Sequence, residues 1–245
     1  MNLILLEPHE TTVSGHVLMS GPRADHLRRV LKVVPGSTVR LGIINGPFGI
    51  GTVAAVTSTE ISLQCAFDAD TPEPPMVDLL LALPRPKVLK RLWPQLAALG
   101  VGRITLTNAA RVERNYFDTH VFEPDVYRPL LIEGLQQARD TRLPVVSVHR
   151  QLKVFLEDEL APGLDVDRVY ADPRCDRDIA DALSSRPGGR ALLAVGAEGG
   201  WTDYERQMLQ AHAFTAVTMG PRTLRSDTAC VALLTLAHAA LSRRV

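Results

Sequence analysis

The chain predicts an α/β protein: a largely parallel sheet preceded by a small β-barrel. Three observations carry this. From residue 77 onward strands and helices alternate, the order that builds a parallel sheet with helical crossovers. Two of those strands, "VDLLLALP" (77–84) and "RALLAVG" (190–196), are continuous apolar runs, as in a sheet covered on both faces. Before residue 70 the pattern is different: short strands separated by Gly/Pro turns, which is how small barrels read.

The elements follow in order. "ADHLRRVLKV" (24–33) places Leu27, Val30 and Leu31 at helical spacing beside Arg28, Arg29 and Lys32. "PGSTVRLGI" (35–43) is a turn and an alternating strand, "NGPFG" (45–49) is a turn, and "IGTVAAV" and "EISLQCAF" are strands. The acidic, proline-rich "DADTPEPPM" (68–76) reads as a linker between a domain over 1–70 and one over 77–245. After the strand at 77–84, "KVLKRLWPQLAALG" puts Leu89, Leu92, Trp93, Leu96 and Leu99 on one helix face. Pro94 is a kink point there and Gly100 a stop. "RITLTNA" completes a βαβ unit. A helix over 125–140, strands at "VVSVH", "DRVYAD" and "RALLAVG", and helices near 151–160 and 174–184 come next. The last strand is "FTAVTMG" (214–220) and the last helix 227–243.

Composition sets outer limits. The chain has 245 residues, 46% hydrophobic and 22% charged, ordinary for a globular protein with a sizeable core. Zero formal net charge argues against a basic coat but leaves room for a local basic patch. Cys65, Cys175 and Cys230 are odd in number and widely spaced. They predict no disulfide framework, no zinc site and a reducing, cytoplasmic setting. "MNLILLEPHE" lacks the features of a signal peptide. No apolar run approaches the roughly 18 residues of a membrane span. The histidines His26, His120, His149, His212 and His238 show no metal-ligand spacing, and no metal is expected.

Two strand-end loops carry the chemistry. In "VGAEGGWTDYE" (195–205) an apolar strand runs into three glycines, after which Thr202 and Glu205 form the S/T-x-x-E pattern of a helix start. The spacing is neither a P-loop nor G-x-G-x-x-G, and Glu198 would repel a phosphate. Two readings stand: glycines for turn geometry alone, or a backbone bared to a ligand at the end of the sheet. Trp201 reads as packing. In "MGPRTLRSDTA" (219–229) a Gly220-Pro221 turn precedes Arg222 and Arg225, and Ser226 or Asp227 is the N-cap of the last helix. Arginine suits bidentate contact with phosphate or carboxylate, and pairing with Asp227 is the plainer alternative.

Together these loops resemble the signature segments of a bacterial family, the 16S rRNA (uracil-N3)-methyltransferases, or ribosomal small-subunit methyltransferase E. "VGAEGGWTDYE" is similar to its "IGPEGGxxxxE", and "MGPRTLRSDTA" to its "LGxRxLRxxTA". Weaker similarities run in order through residues 24–49, 83–112 and 134–146, so nearly the whole chain is covered. The resemblance implies a SPOUT fold, in which a parallel sheet ends in a deep trefoil knot, with an N-terminal PUA-like barrel for RNA. It implies a homodimer, S-adenosylmethionine (SAM) as methyl donor, and 16S rRNA of the small ribosomal subunit as partner. Carried onto matching positions, the SAM loops are Gly196, Glu198, Gly199 and Gly200, then Met219, Gly220, Leu224, Arg225, Thr228 and Ala229, with a third loop from Ala171 to Pro173.

The same resemblance frames the catalytic reading. Uracil N3 lies on the pairing edge, so the base must be unpaired or flipped. Arg225 is assigned to orienting the base and stabilising its developing anion. No general base is evident, Asp227 being one candidate. RNA contacts are expected from Arg23, Arg28, Arg29 and Lys32, and from Arg85, Lys87, Lys90 and Arg91. The alternative for these charges is a solvated face. The chain departs from the family at Ala197 (for proline), at Gln95 and Ala98, and at Gln136. The spacing change in "ARDTR" leaves Arg139 and Arg142 as alternative counterparts of an RNA-contacting arginine. Three functions stay open: the uracil-N3 enzyme, a related enzyme with another target nucleotide, and a non-catalytic RNA-binding assembly factor.

Overall fold

The computed structural model describes residues 3–160, 166–183, 189–220 and 222–242. The chain forms two compact units. One runs up to Glu73 and takes in Leu135–Leu143; the other holds Pro74–Gly134 and the chain from Pro144.

The first unit is built on β1 (Ile4–Leu6), β2 (His16–Ser20), the helix α1 (Gly21–Arg29), β3 (Thr38–Ile43), β4 (Phe48–Val56) and β5 (Glu60–Phe67). The strands form a curled half-barrel sheet in the order β1-β3-β4-β5-β2, parallel only between β1 and β3. Alternation in β2 and β5 sends Val17, Met19, Ile61 and Leu63 inward, onto Leu27 of α1. Helix α1 is shorter than the spacing predicts. Lys32 takes a left-handed φ of 50°, and wide closing bonds run from Leu31 N–H to His26 O and from Val33 N–H to Leu27 O. This turn carries Val30 and Leu31 off the buried face, and they are 64% and 45% exposed.

The second unit continues with β6 (Val77–Ala82), α2 (Pro86–Ala98), β7 (Val101–Thr107) and α3 (Pro124–Ala138). The C-terminal end of α3 belongs to the first unit. Then come β8 (Val145–His149), α4 (Leu152–Val154) continued by a wide turn to Glu159, β9 (Val166–Ala171) and α5 (Ile179–Ala182). The chain ends with β10 (Arg190–Val195), α6 (Asp203–Ala211), β11 (Thr215–Val217) and α7 (Ser226–Ser242). All six strands pair in parallel, in the order β11-β9-β10-β6-β7-β8. The continuous apolar runs are central, as expected. Leu79, Leu80 and Leu81 are fully buried, each contributing about 2 kcal/mol by leaving water. Trp93 of α2 is buried and donates its Nε1–H to Val121 O.

Other element bounds differ as well. Strand β11 stops at Val217 because Thr218 turns to bond Arg177 O and its hydroxyl pairs with Gly220. Helix α5 has four residues; the expected end at 184 lies outside the described residues, as do Pro221 and position 243. Helix α7 begins at Ser226, which places both Ser226 and Asp227 in its first turn rather than at the cap, and Arg225 O accepts the Ala229 N–H.

The topology positions the site. After β8 the chain crosses to the far side of β6, so that β10 lies beside β6 and the strand order reverses there. Parallel strands then deliver the loops after β9, β10 and β11 to one edge, where open α/β sheets hold ligands.

Candidate functional site

These three loops enclose a cavity of about 580 Å³, together with Arg111 from the segment after β7. That size suits a cofactor-sized molecule. Its wall contains Ala171, Asp172 and Pro173, all of the stretch Gly196–Gly200, and Met219, Gly220, Leu224 and Ala229. Arg225 and Thr228 are outside the lining.

The glycine turn meets both demands. Gly200 has φ +71°, which a side chain would resist. A Cβ on Gly196 would stand 3.2 Å from the Trp201 ring. The capping box is formed: Glu205 N–H donates to Thr202 Oγ1, and Thr202 N–H donates to Glu205 Oε2. Glu205 does more than cap. It is buried, and its Oε1 accepts the Ala110 N–H at 2.7 Å. Arg111 donates in turn to Gly199 O. The segment after β7 is thereby fastened to the glycine loop.

One rim of the cavity is a charge network. Buried Asp172 accepts from the Arg174 backbone and guanidinium at 3.0–3.1 Å and has Arg206 at 3.6 Å. Arg206 also pairs with Asp203 and donates to Trp201 O. Two buried polar atoms of lining residues, Trp201 Nε1 and Ser226 Oγ, have no hydrogen-bond partner among the described residues. Such atoms carry a desolvation cost unless something fills the cavity and pairs with them.

Beside the cavity Arg225 lies along Asp227, with Nε–H donating to Oδ1 at 3.2 Å. Arg91 reaches the same carboxylate at 3.2 Å. The hydrogen bond from Arg225 holds the Asp227 carboxyl below its usual range. Asp227 is thus a poor proton acceptor and a good anchor for Arg225, whose side chain keeps 66% exposure. Glu198 pairs with Arg85 at 3.7 Å.

The expected RNA-facing cations fall into two groups. Arg23 is bound to both Glu10 oxygens and to Leu5 O. Arg28 is bound to Asp25 and to the carbonyls of Thr57 and Ser58. Arg29, Lys32, Lys87 and Lys90 are exposed and have no partner among the described residues. Arg142 donates to Pro72 O. The sequence reading missed Arg111, Arg174 and Arg206. Arg206 had a local signal, standing three residues past Asp203 in the first turn of α6. Arg111 follows a strand end, as the two recognised loops do. No group of three His, Cys, Asp or Glu side chains suited to a metal occurs among the described residues. No helix among them is long and apolar enough to cross a membrane.

Residues 71–238 match the model of a family described as an RNA methyltransferase domain. The chain is also 32% identical to ribosomal RNA small subunit methyltransferase E of Treponema pallidum, over 98% of this chain and 92% of that protein. The chain belongs to the ribosomal RNA small subunit methyltransferase E family. A Borreliella burgdorferi protein named ribosomal RNA small subunit methyltransferase E 1 is 24% identical over 95% of both chains. Among solved structures, the Neisseria gonorrhoeae methyltransferase E bound to S-adenosyl methionine superposes with a TM-score of 0.79. It is 21% identical, and the match covers 98% of this chain and 97% of that one. A Legionella pneumophila methyltransferase in complex with SAM gives the same TM-score at 20% identity, over 98% and 97%. These structural likenesses bear on the fold, and the cavity lies in the part that the methyltransferase domain model spans.

Proposed function

We propose that this chain transfers a methyl group from SAM to N3 of a uridine in 16S rRNA of the small ribosomal subunit. The observation that carries the reading is the cavity itself. The two loops whose sequence resembles the family signature supply most of its wall, and two of the residues in that wall, Trp201 and Ser226, hold buried polar atoms unpaired among the described residues. The residues fit the donor. Trp201 Nε1–H is a donor only and needs an acceptor, and Ser226 Oγ can serve either way. The apolar wall of Ala197, Met219, Leu224 and Ala229 suits an adenine face. Gly196, Glu198, Gly199, Gly200 and Gly220 complete the SAM contacts of this reading, and Arg225 and Thr228, outside the lining, are not among them. The donor supplies an electrophilic methyl group on a sulfonium. The chain's own work is positioning and electrostatics. Asp227 holds Arg225 at the mouth, where its guanidinium orients the uracil and stabilises the anion left when N3 loses its proton.

The finer architecture goes with this reading. The β9–β11 segment threads as a deep trefoil knot in a SPOUT domain over 77–245. The half-barrel over 1–70 is PUA-like and touches RNA through Arg29, Lys32 and neighbouring cations; Lys87 adds to this from the second domain. Arg23 and Arg28 shape that surface from within. A homodimer is supported by α7, whose Ala232, Thr235, Leu236 and Ala239 share one face, Leu236 being 40% exposed. The unpaired cysteines agree with a cytoplasmic setting.

The test is methyl transfer from labelled SAM to small subunits from a strain lacking this gene, with mass mapping of the product. One N3-methyluridine in 16S rRNA is expected. SAM binding with methylation of a different nucleotide would overturn the N3 assignment, and no SAM binding would overturn catalysis.

A further inference from the structure

The first unit has a shallow cleft of about 300 Å³. Its apolar surface is offered by half-buried Phe48 and by Ile50 of β4, which is 56% exposed, with buried Leu3 and Leu41 behind them. Arg40 of β3 and Arg139, the residue after α3, flank it. Both arginines are exposed, and neither has an ion-pair or hydrogen-bond partner among the described residues. They differ in this from Arg23, Arg28 and Arg142, which are committed to internal carbonyls or carboxylates.

Arg139 is held there against its backbone preference. Its φ is +60°, at a helix end where glycine or asparagine is usual. The neighbouring residues fix that geometry. Asp140 N–H bonds Leu135 O, and the Asp140 carboxylate accepts the N–H groups of Thr141 and Arg142. Buried Thr141 donates its hydroxyl to Gly46 O at 2.7 Å and accepts the Asn45 N–H. A left-handed arginine kept in place by its surroundings points to a use for the side chain.

We propose that this cleft binds a single-stranded RNA segment, a base lying on the apolar surface and adjacent phosphates meeting Arg40 and Arg139. The inference rests on the reading of the chain as an rRNA enzyme and adds a contact site outside the methyl-transfer cavity. A guanidinium fork matches phosphate, and an apolar or aromatic platform between cations is how single strands are held without sequence reading. Against the two guanidiniums the cleft has one carboxylate, Asp68, so its field favours a polyanion.

The test uses the full chain and a fluorescein-labelled oligouridine of about ten nucleotides, a length within single-strand site sizes. Anisotropy is followed against potassium chloride. Arg40→Ala and Arg139→Gly should each weaken binding roughly five- to tenfold and reduce the salt slope by about 0.7 to 1. Arg139→Gly relieves the left-handed backbone, so its melting temperature should be unchanged or raised, which separates lost contact from misfolding. Wild-type affinity and slope in the double variant, or no oligouridine binding by the wild type, would overturn the cleft. Methyl transfer separates this from the functional reading. If the wild type methylates small subunits and the double variant keeps its KM for RNA, the cleft fails alone. If the wild type transfers no methyl group, the functional reading fails, and anisotropy still judges the cleft.

Discussion

The loops after β10 and β11 and the helix α1 both stood out in the sequence as places where polar groups face a ligand, and the structure treats them oppositely. In the loops, glycine backbone lines a cavity and Arg225 is fixed by Asp227 yet exposed. In α1, Arg23 and Arg28 are consumed by Glu10, Asp25 and main-chain carbonyls. The difference is one of partner location. Asp227 is two residues from Arg225 and aims it. Arg28 also has a local carboxylate, Asp25, but it is tied in addition to the distant Thr57–Ser58 turn, and Arg23 to Glu10 and Leu5 O, and these remote partners clamp the guanidiniums.

The largest effect that would sharpen this contrast is catalytic. Arg225→Ala should lower methyl transfer by about 10²- to 10³-fold, the usual cost of losing one aimed donor to a developing anion. SAM affinity by calorimetry should stay near that of the wild type, because Arg225 lies outside the cavity lining. Arg23→Ala should leave kcat unchanged. Full activity in Arg225→Ala would remove the distinction between an aimed arginine and a clamped one.

The next effect concerns what fastens the loops. Glu205→Ala removes the acceptor of the Ala110 and Thr202 N–H groups in a buried place. It should destabilise the second unit by about 2–3 kcal/mol, and Thr202→Ala by about 1 kcal/mol. Both tryptophans lie in the second unit, so urea unfolding followed by their fluorescence reads the change there. Equal costs for the two variants would mean that Glu205 acts only as a cap.

What was legible follows the same divide. The parallel sheet was readable because buried strands are runs such as "VDLLLALP", a pattern that local sequence carries. The α6 start was readable because Thr202 and Glu205 are three apart and act on each other. The Ala110 contact of Glu205 was not, since no spacing rule links residues 95 apart. The end of α1 was misplaced because apolar spacing extends through Leu31, while the chain leaves the helix at a left-handed Lys32 closed by the bonds to His26 O and Leu27 O, which spacing does not register. The return of Leu135–Leu143 to the first unit had no signal in a chain read as consecutive segments.

The smallest effect tests the clamp itself. Arg23 holds the Glu10 carboxyl below its ordinary 4.5 chiefly by direct hydrogen bonding. A carboxyl with a depressed folded value adds stability above its unfolded value and loses it as pH falls through the folded one. The first unit should therefore weaken as pH drops below about 4.5 in the wild type. In Arg23→Ala that loss should be absent, and stability at neutral pH should already be lower by about 1 kcal/mol, since the pair is partly open to water. Amide exchange in β1 and α1, corrected for intrinsic rates, resolves this unit from the other. Arg29→Ala, which removes an exposed cation with no partner among the described residues, should leave both the exchange and its pH dependence as they are. If Arg29→Ala instead matched Arg23→Ala, the clamp would not be the source of the stability. The division of α1 into structural and free arginines would then be lost.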